Sequence, residues 1–211
     1  MKESLSNGRI VGLLANYGVS ASETLAESIR AYISLLLRWN AKISLTTVVD
    51  PIEILKFHFG ESLFAAAKVQ IFDGRLADVG SGAGFPGLPL AMLSPNLEVV
   101  LIESNLKKAA FLSEVLRELK IENAAVWRGR VEDLKDKEAF DFVTARALGI
   151  HGEFLKWSRA ALNLNGNVIL WLGERDAKQI SASPEWTWRG QIEIPDSIQR
   201  VLLIGSPKRS A

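Results

Sequence analysis

"LADVGSGAGFPGLPL", residues 76–90, joins a short apolar run ending in an acid to three alternating glycines and then to an apolar segment carrying two prolines. Glycine lacks a Cβ and tolerates positive φ, so a glycine loop can bring its amides close to a ligand. In an open α/β sheet such a loop lies at the carboxyl end of the first strand, before the first helix. The stretch is therefore expected to form a strand, a ligand-binding turn and the start of a helix.

The flanking sequence fits that expectation. Short β-rich runs fall at 97–103 (LEVVLIE), 124–127 (AAVW), 140–145 (FDFVTA) and 167–172 (NVILWL), with helical stretches such as 105–120 and 151–163 between them. Strand–helix alternation with nearly continuous apolar strands predicts a doubly wound, mostly parallel sheet covered on both faces. The last two runs, 190–195 (GQIEIP) and 200–205 (RVLLIG), have no helix between them and predict an antiparallel finish, making seven strands. ASPEWTWRG, 182–190, is expected to be a surface turn. Upstream, Leu25, Ile29, Tyr32, Ile33, Leu36 and Leu37 recur in steps of three and four and make one buried helical stripe. Ser20 and Glu23 have capping-box spacing, and Pro51 suits the first turn of a helix running to about Lys68. The chain thus divides into a helical arm over 1–70, packed on an α/β domain over 71–211 as one structural unit.

Composition removes several classes of function. With no cysteine, a disulfide framework, thiolate metal sites and a cysteine nucleophile are excluded. His58 and His151 are the two histidines, so a zinc site is not expected. No run approaches the roughly 20 apolar residues that span a bilayer, and MKESLSNGRIVGLLANYG lacks the apolar core of a signal peptide. A cytoplasmic location is expected. The net charge of +1 is distributed as +1, −3 and +3 over residues 1–75, 76–145 and 146–211. A polyanion could therefore be held only through local patches.

The glycine loop can be read in two registers. Gly80-Ser81-Gly82-Ala83-Gly84 is GxGxG, the form typical of S-adenosylmethionine-dependent methyltransferases. Gly82-x-Gly84-x-x-Gly87 is GxGxxG, the dinucleotide fingerprint of an NAD-dependent oxidoreductase. Either cofactor wants an acid about 20 residues on to grip ribose hydroxyls, and Glu103 supplies it. Asp78 tilts the choice. An acid before the glycines suits the cationic end of S-adenosylmethionine, whereas it would repel a pyrophosphate. A dehydrogenase would also need a substrate domain, for which no chain is left over.

Longer motifs carry a more specific resemblance, covering the chain from about Tyr32 onward. They are RWNAKISLTTVVDP (38–51), HFGES (58–62), DVGSGAGFPGLPLA (78–91), LIESNLKKAAFL (101–112), RVEDL (130–134) and FDFVTARAL (140–148). In these the chain resembles the bacterial 16S ribosomal RNA guanine-N7 methyltransferases of the RsmG, or GidB, family. The resemblance implies a Rossmann-like class I methyltransferase fold, S-adenosylmethionine as cofactor and the small ribosomal subunit as partner, with neither a metal nor a membrane involved and a monomeric protein. It places the cofactor against Gly80 and Phe85, with Glu103 at the ribose, Val131 and Glu132 at the adenine side, and Arg146 at the end of the fourth strand; Asp78, Ser81, Gly82 and Gly84 of the loop and Ser104 after the acid complete the candidate cofactor contacts. Arg146 is also the residue implied to position the target base. The sequence departs from the family pattern at Phe57 and Leu172, where cations are usual, and at Glu61 and Ala145, where Asp and Ser are usual. The two absent cations leave a cofactor-binding but inactive RNA scaffold as a further reading.

For the substrate side, Arg38, Asn40, His58 and Lys107 are the candidate RNA contacts. Each has a plainer alternative. His58 can be a satisfied structural residue, Trp39 can pack the arm on the sheet while Asn40 caps its helix, and Lys107 with Lys108 can be a solvated helix face. Guanine N7 carries a free lone pair, so the chemistry asks for positioning and no general base. That agrees with the absence of any Ser-His-Asp set or paired carboxylates.

Overall fold

The computed structural model describes residues 5–134, 139–146 and 151–209, the side chain of His151 excepted. Ala147 and Leu148, which end the FDFVTARAL motif, lie outside the described residues. Strand β1 (Asp73–Val79) is the centre of the molecule. Leu76, Ala77, Asp78 and Val79 are all buried, as expected of a strand covered on both faces. It pairs in parallel with β2 (Asn96–Glu103) and β4 (Phe140–Arg146). Outside these lie β3 (Ala124–Arg128), parallel to β2, and β5 (Leu162–Gly173), parallel to β4.

The sheet is completed by antiparallel pairing, as expected, but with one strand more than the sequence predicts. β6 (Trp186–Trp188) and β7 (Ile192–Glu193) both pair with β8 (Arg200–Pro207), which itself pairs with β5. The strand order is β3-β2-β1-β4-β5-β8-β6, with β7 beside β8, so the eight strands fill seven positions. Residues 182–190 are therefore not simply a surface turn. Trp186 is buried and stacks on Trp188 with ring centroids 5.5 Å apart, and Trp188 lies over Gly205 of the neighbouring strand, where a Cβ would collide with its ring. Burying Trp186 and half-burying Trp188 outweighs the turn propensity of the Ser-Pro before them.

Helices clothe both faces. On one side α1 (Asn7–Ala15), α2 (Glu23–Asn40), α4 (Glu61–Val69), α5 (Gly87–Leu93) and α6 (Leu106–Glu118) share a core with Ile169, Trp171 and Leu202 of the sheet. On the other, α7 (His151–Ala161) and α8 (Glu174–Ile180) pack on Ala77, Val79, Val143 and Leu170. The N-terminal helices thus share one of the two outer layers with α5 and α6. Helix α2 begins at Glu23 because the Ser22 hydroxyl accepts from the Leu25 amide at 3.1 Å. This replaces the expected Ser20–Glu23 capping box, and Glu23 instead sits in the first turn, where it favours the helix dipole. Pro51 opens the next helix, as expected, and Asp50 caps it. That helix is interrupted, however: α3 (Pro51–Ile54) runs through a π-helical turn, Leu55–Gly60, into α4. Gly60 in this turn faces the Tyr17 ring, so closely that a Cβ would overlap it. Among the described residues no helix is long and apolar enough to cross a membrane.

Candidate functional site

The carboxyl end of β1 turns into the glycine loop at Gly80. Gly80, Gly82 and Gly84 have φ of +71°, +56° and +89°, so each stands where an L side chain is strained. At Gly84 there is no room either, since a Cβ would strike the Tyr32 hydroxyl and Leu88. That hydroxyl donates to the Ala83 carbonyl at 2.6 Å, so α2 clamps the loop from outside the sheet. The amides of Gly80 and Ser81 donate to the Ile102 carbonyl at 2.9 and 3.1 Å, joining the loop to β2. The Gly82 amide donates to Glu103 Oε2 at 2.9 Å, and the Asn105 amide to Oε1 at 2.7 Å. Loop and acid are therefore one hydrogen-bonded assembly.

Asp78 holds this assembly from below. It is 1% exposed, its Oδ1 accepts from the Thr144 hydroxyl at 2.9 Å and its Oδ2 from the Gly87 amide at 3.1 Å. Burial pushes its carboxyl up to about 6, against the pull of the Thr144 and Gly87 hydrogen bonds. The sequence reading put Asp78 beside the cationic end of a cofactor, but the structure turns it inward beneath the loop. Gly87 packs so closely on this carboxylate and on Leu101 that a Cβ there would come within 2.9 Å of both.

A cleft of about 310 Å³ opens beside the loop, lined by Val79, Gly80, Glu103, Ser104, Val131 and Glu132 among others. Five of the predicted cofactor residues are thus brought together: Gly80, Glu103, Ser104, Val131 and Glu132. Ser81, Gly82, Gly84 and Phe85 do not line it. Ser81 is buried and donates to the Asp78 carbonyl, and Phe85 is buried between the rings of Tyr32 and His58, with centroids 5.4 and 4.7 Å away. The donor set suits S-adenosylmethionine. Each Glu103 oxygen receives one backbone N–H, and the carboxylate keeps lone pairs for two ribose hydroxyls. Three acids, Glu103, Glu132 and Glu153, and no cation but Arg130 line the cleft, which suits a positively charged ligand better than a pyrophosphate.

At the same end of the sheet a second cluster surrounds Glu61. This carboxylate is buried, with Arg146 Nη2 at 3.0 Å on one oxygen and Arg200 Nη2 at 2.7 Å on the other. Burial raises its pKa, and the two guanidinium groups oppose the rise. The Glu61 carbonyl also accepts from Trp171 Nε1 at 2.9 Å. Arg146 lies one residue beyond the Ala145–Val79 pair, next to the start of the glycine loop, and its Nη1 is buried without a partner among the described residues. Arg200 lies over the Phe57 ring, 4.9 Å from its centroid. A cation thus comes from β8 to the place where Phe57 lacks one. Leu172 is buried in the core of β5 and offers no such position.

His58 joins the cluster to the loop. It stacks on Phe85 and shares a 2.8 Å hydrogen bond with Thr46 Oγ1. Burial, then the charges of Arg146 and Arg200, push its pKa down to about 3, so the ring is neutral near neutral pH. Asn40 does more than end α2: its Oδ1 accepts from the Leu45 and Thr46 amides and its Nδ2 donates to the Thr46 carbonyl. Its side chain is occupied in folding the 41–46 loop. Arg38 and Lys107 stand exposed on α2 and α6, on either side of a separate groove. Among the described residues no group of His, Asp and Glu is placed to hold a metal. Arg200 escapes the sequence reading altogether and Glu61 enters it only as a departure. The signals were a lone acid on the apolar face of ESLFAAA and a lone cation heading RVLLIG.

The geometry has clear counterparts among known proteins. Ribosomal RNA small subunit methyltransferase G of Xanthomonas oryzae pv. oryzae is 38% identical over 179 residues, 83% of this chain and 84% of its own. The protein of the same name from Photobacterium profundum is 32% identical over 178 residues, covering 84% and 85%. Among solved structures, a SAM-dependent methyltransferase from Aquifex aeolicus superposes with a TM-score of 0.62 at 14% identity, over 72% of this chain and 92% of that one. M. jannaschii TYW2 in complex with AdoMet gives 0.52 at 18% identity over 78% of this chain and 77% of that one. These two fix the fold as that of the class I methyltransferases. The oxidoreductase reading of the glycine loop finds no support among these relatives. The model of the GidB family, rRNA small subunit methyltransferase G, matches residues 25–194, and the chain belongs to that family.

Proposed function

We propose that the protein transfers a methyl group from S-adenosylmethionine to N7 of a guanine in 16S ribosomal RNA, within the small subunit, in the cytoplasm and as a monomer. The observation that carries this reading is the cleft between Gly80 and Val131, with the Glu103 carboxylate fixed at its edge by two backbone amides. When bound, the cofactor supplies an electrophilic methyl on a sulfonium. Glu103 takes the ribose hydroxyls, Ser104 stands beside it, and Val131 with Glu132 forms the wall for the adenine.

On the acceptor side the chain needs to position a base, not to remove a proton. N7 of guanine offers its lone pair directly, so neither a general base nor a Lewis acid is required. Arg146 is the positioning residue. Its Nη2 is committed to Glu61 while Nη1 remains unpartnered among the described residues, which suits donation to guanine O6 or a phosphate and leaves N7 free. His58, kept as the neutral imidazole, buttresses Phe85 and carries no charge at working pH. Fixing the base against the methyl donor is worth several kcal/mol of barrier, about 7 at the lower end for well-oriented partners.

The test is methyl transfer to small ribosomal subunits from cells lacking the modification, followed by nucleoside mass spectrometry. One new 7-methylguanosine per subunit is expected. No product, or a methyl group on another atom, contradicts the reading.

A further inference from the structure

A groove of about 480 Å³ lies between the end of α2 and the start of α6, apart from the cofactor cleft. Its floor is apolar, made by Trp39, Ile43 and Leu106, and Leu106 is left 62% exposed. Its rim carries three cations, Arg38, Lys42 and Lys107. Glu114 is the one carboxylate there, 3.9 Å from Arg38, while Lys42 and Lys107 have no ion-pair partner among the described residues. In a chain whose net charge is +1, this is a local concentration of positive charge around an aromatic surface.

The groove is also firmly placed. Trp39 packs against Phe111 of α6, with centroids 5.7 Å apart, so the two helices are joined beneath it. The loop that carries Lys42 is closed by the three hydrogen bonds of Asn40 and tied through Thr46 to His58, which stacks on Phe85 of the glycine loop. Leu106 follows Glu103 by three residues. The groove therefore lies at the rim of the sheet that holds the cofactor cleft, joined to the glycine loop by a continuous run of contacts.

From this we infer that the groove takes an unpaired nucleotide of the RNA substrate, away from the target guanine, with its base against Trp39 and Leu106 and its phosphates on Lys42 and Lys107. The inference rests on the RNA methyltransferase reading above. An indole face ringed by cations matches the two surfaces of a nucleotide, an aromatic base and an anionic backbone. An apolar protein helix would leave Lys42 and Lys107 unpaired, and a free acid would leave the indole and Leu106 uncovered. Asn40, a candidate contact by sequence, has the role of shaping the groove.

Two measurements on the full chain test this. The first is ultraviolet cross-linking to unmodified small ribosomal subunits, with mass spectrometry of the adducts. Nucleotide adducts on peptides containing Trp39 or Lys107 are expected. Adducts of those peptides with ribosomal proteins alone, or none, overturn the proposal. The second is steady-state kinetics of the Lys42→Glu/Lys107→Glu double variant and of Trp39→Leu beside Trp39→Phe. The double variant and Trp39→Leu should raise KM for the subunits about tenfold or more, while Trp39→Phe stays close to the parent. kcat and the thermal shift given by S-adenosylhomocysteine should be unchanged in all of them. An unchanged KM, or a lost thermal shift, counts against the groove. Absence of 7-methylguanosine with the unsubstituted protein would instead sink the functional reading, and the adducts would still decide what the groove binds.

Discussion

The glycine loop and the Glu61 cluster stand at the same end of the sheet and are made of different material. The loop is backbone: Gly80, Ser81, Gly82 and Gly84 turn within five residues, and the amides of the first three find partners in β2 and its terminal Glu103. The cluster is side chain: Glu61 from α4, Arg146 from β4 and Arg200 from β8 meet across more than a hundred residues of sequence. A backbone site is sensitive to added atoms, because its geometry depends on missing Cβ groups. A buried ionic site is sensitive to removed charge, because each ion is tolerated only with its partners.

The largest effect should come from the cluster. Glu61→Ala would leave two guanidinium groups close together without their shared acid, and is expected to cost about 3–5 kcal/mol in denaturant unfolding. Adding Arg146→Ala should recover part of the loss, since it removes one of the orphaned charges. Full additivity of the two substitutions would mean that the pair is not the unit described. In the loop, Gly84→Ala is expected to cost about 3 kcal/mol, from a strained φ together with overlap on Tyr32 and Leu88. Gly82→Ala meets only an ordinary 3.7 Å contact with the Gly80 carbonyl, so about 1 kcal/mol of backbone strain is expected there. Equal costs at the two glycines would break the claim that Tyr32 clamps the loop.

A smaller effect separates the two regions by pH. His58 belongs to the cluster side, and its pKa is lowered from 6.5 to about 3, so the unfolded chain takes up the proton first. Its contribution to stability is lost as pH falls from 6.5 toward 3. Asp78 belongs to the loop, and its pKa is raised from 3.8 to about 6, so the folded chain takes up the proton first. Its contribution grows as pH falls from 6 toward 3.8. The two offset each other in the window they share. Thermal unfolding between pH 4 and 7 should therefore show a steeper acid loss for Asp78→Asn than for the parent, and a flatter one for His58→Gln. Identical slopes would contradict both assignments.

The same contrast explains what could be read from the sequence. The loop's meaning lies in local spacing, so strand, glycines and Glu103 were legible together, and the parallel character of the sheet followed from strand–helix alternation. Trp186 and Trp188 were misread because Ser-Pro signals a turn locally, while burial against Gly205 is decided by a strand that comes later in the chain. Asp78 was placed in the right element and facing the wrong way, since spacing alone does not tell whether a carboxylate points at a ligand or at the amide of Gly87. Arg200 had no local mark at all. Its partner is 139 positions away, and only the fold of β8 against β5 brings it to Glu61.

The claim that the loop and Glu103 together form the cofactor site is tested most directly by calorimetric titration of S-adenosylhomocysteine and, separately, NADH into the parent and Glu103→Gln proteins. The account predicts binding of S-adenosylhomocysteine to the parent, a loss of about tenfold or more in Glu103→Gln, and no heat from NADH. Binding of NADH, or undiminished binding of S-adenosylhomocysteine by Glu103→Gln, would contradict it.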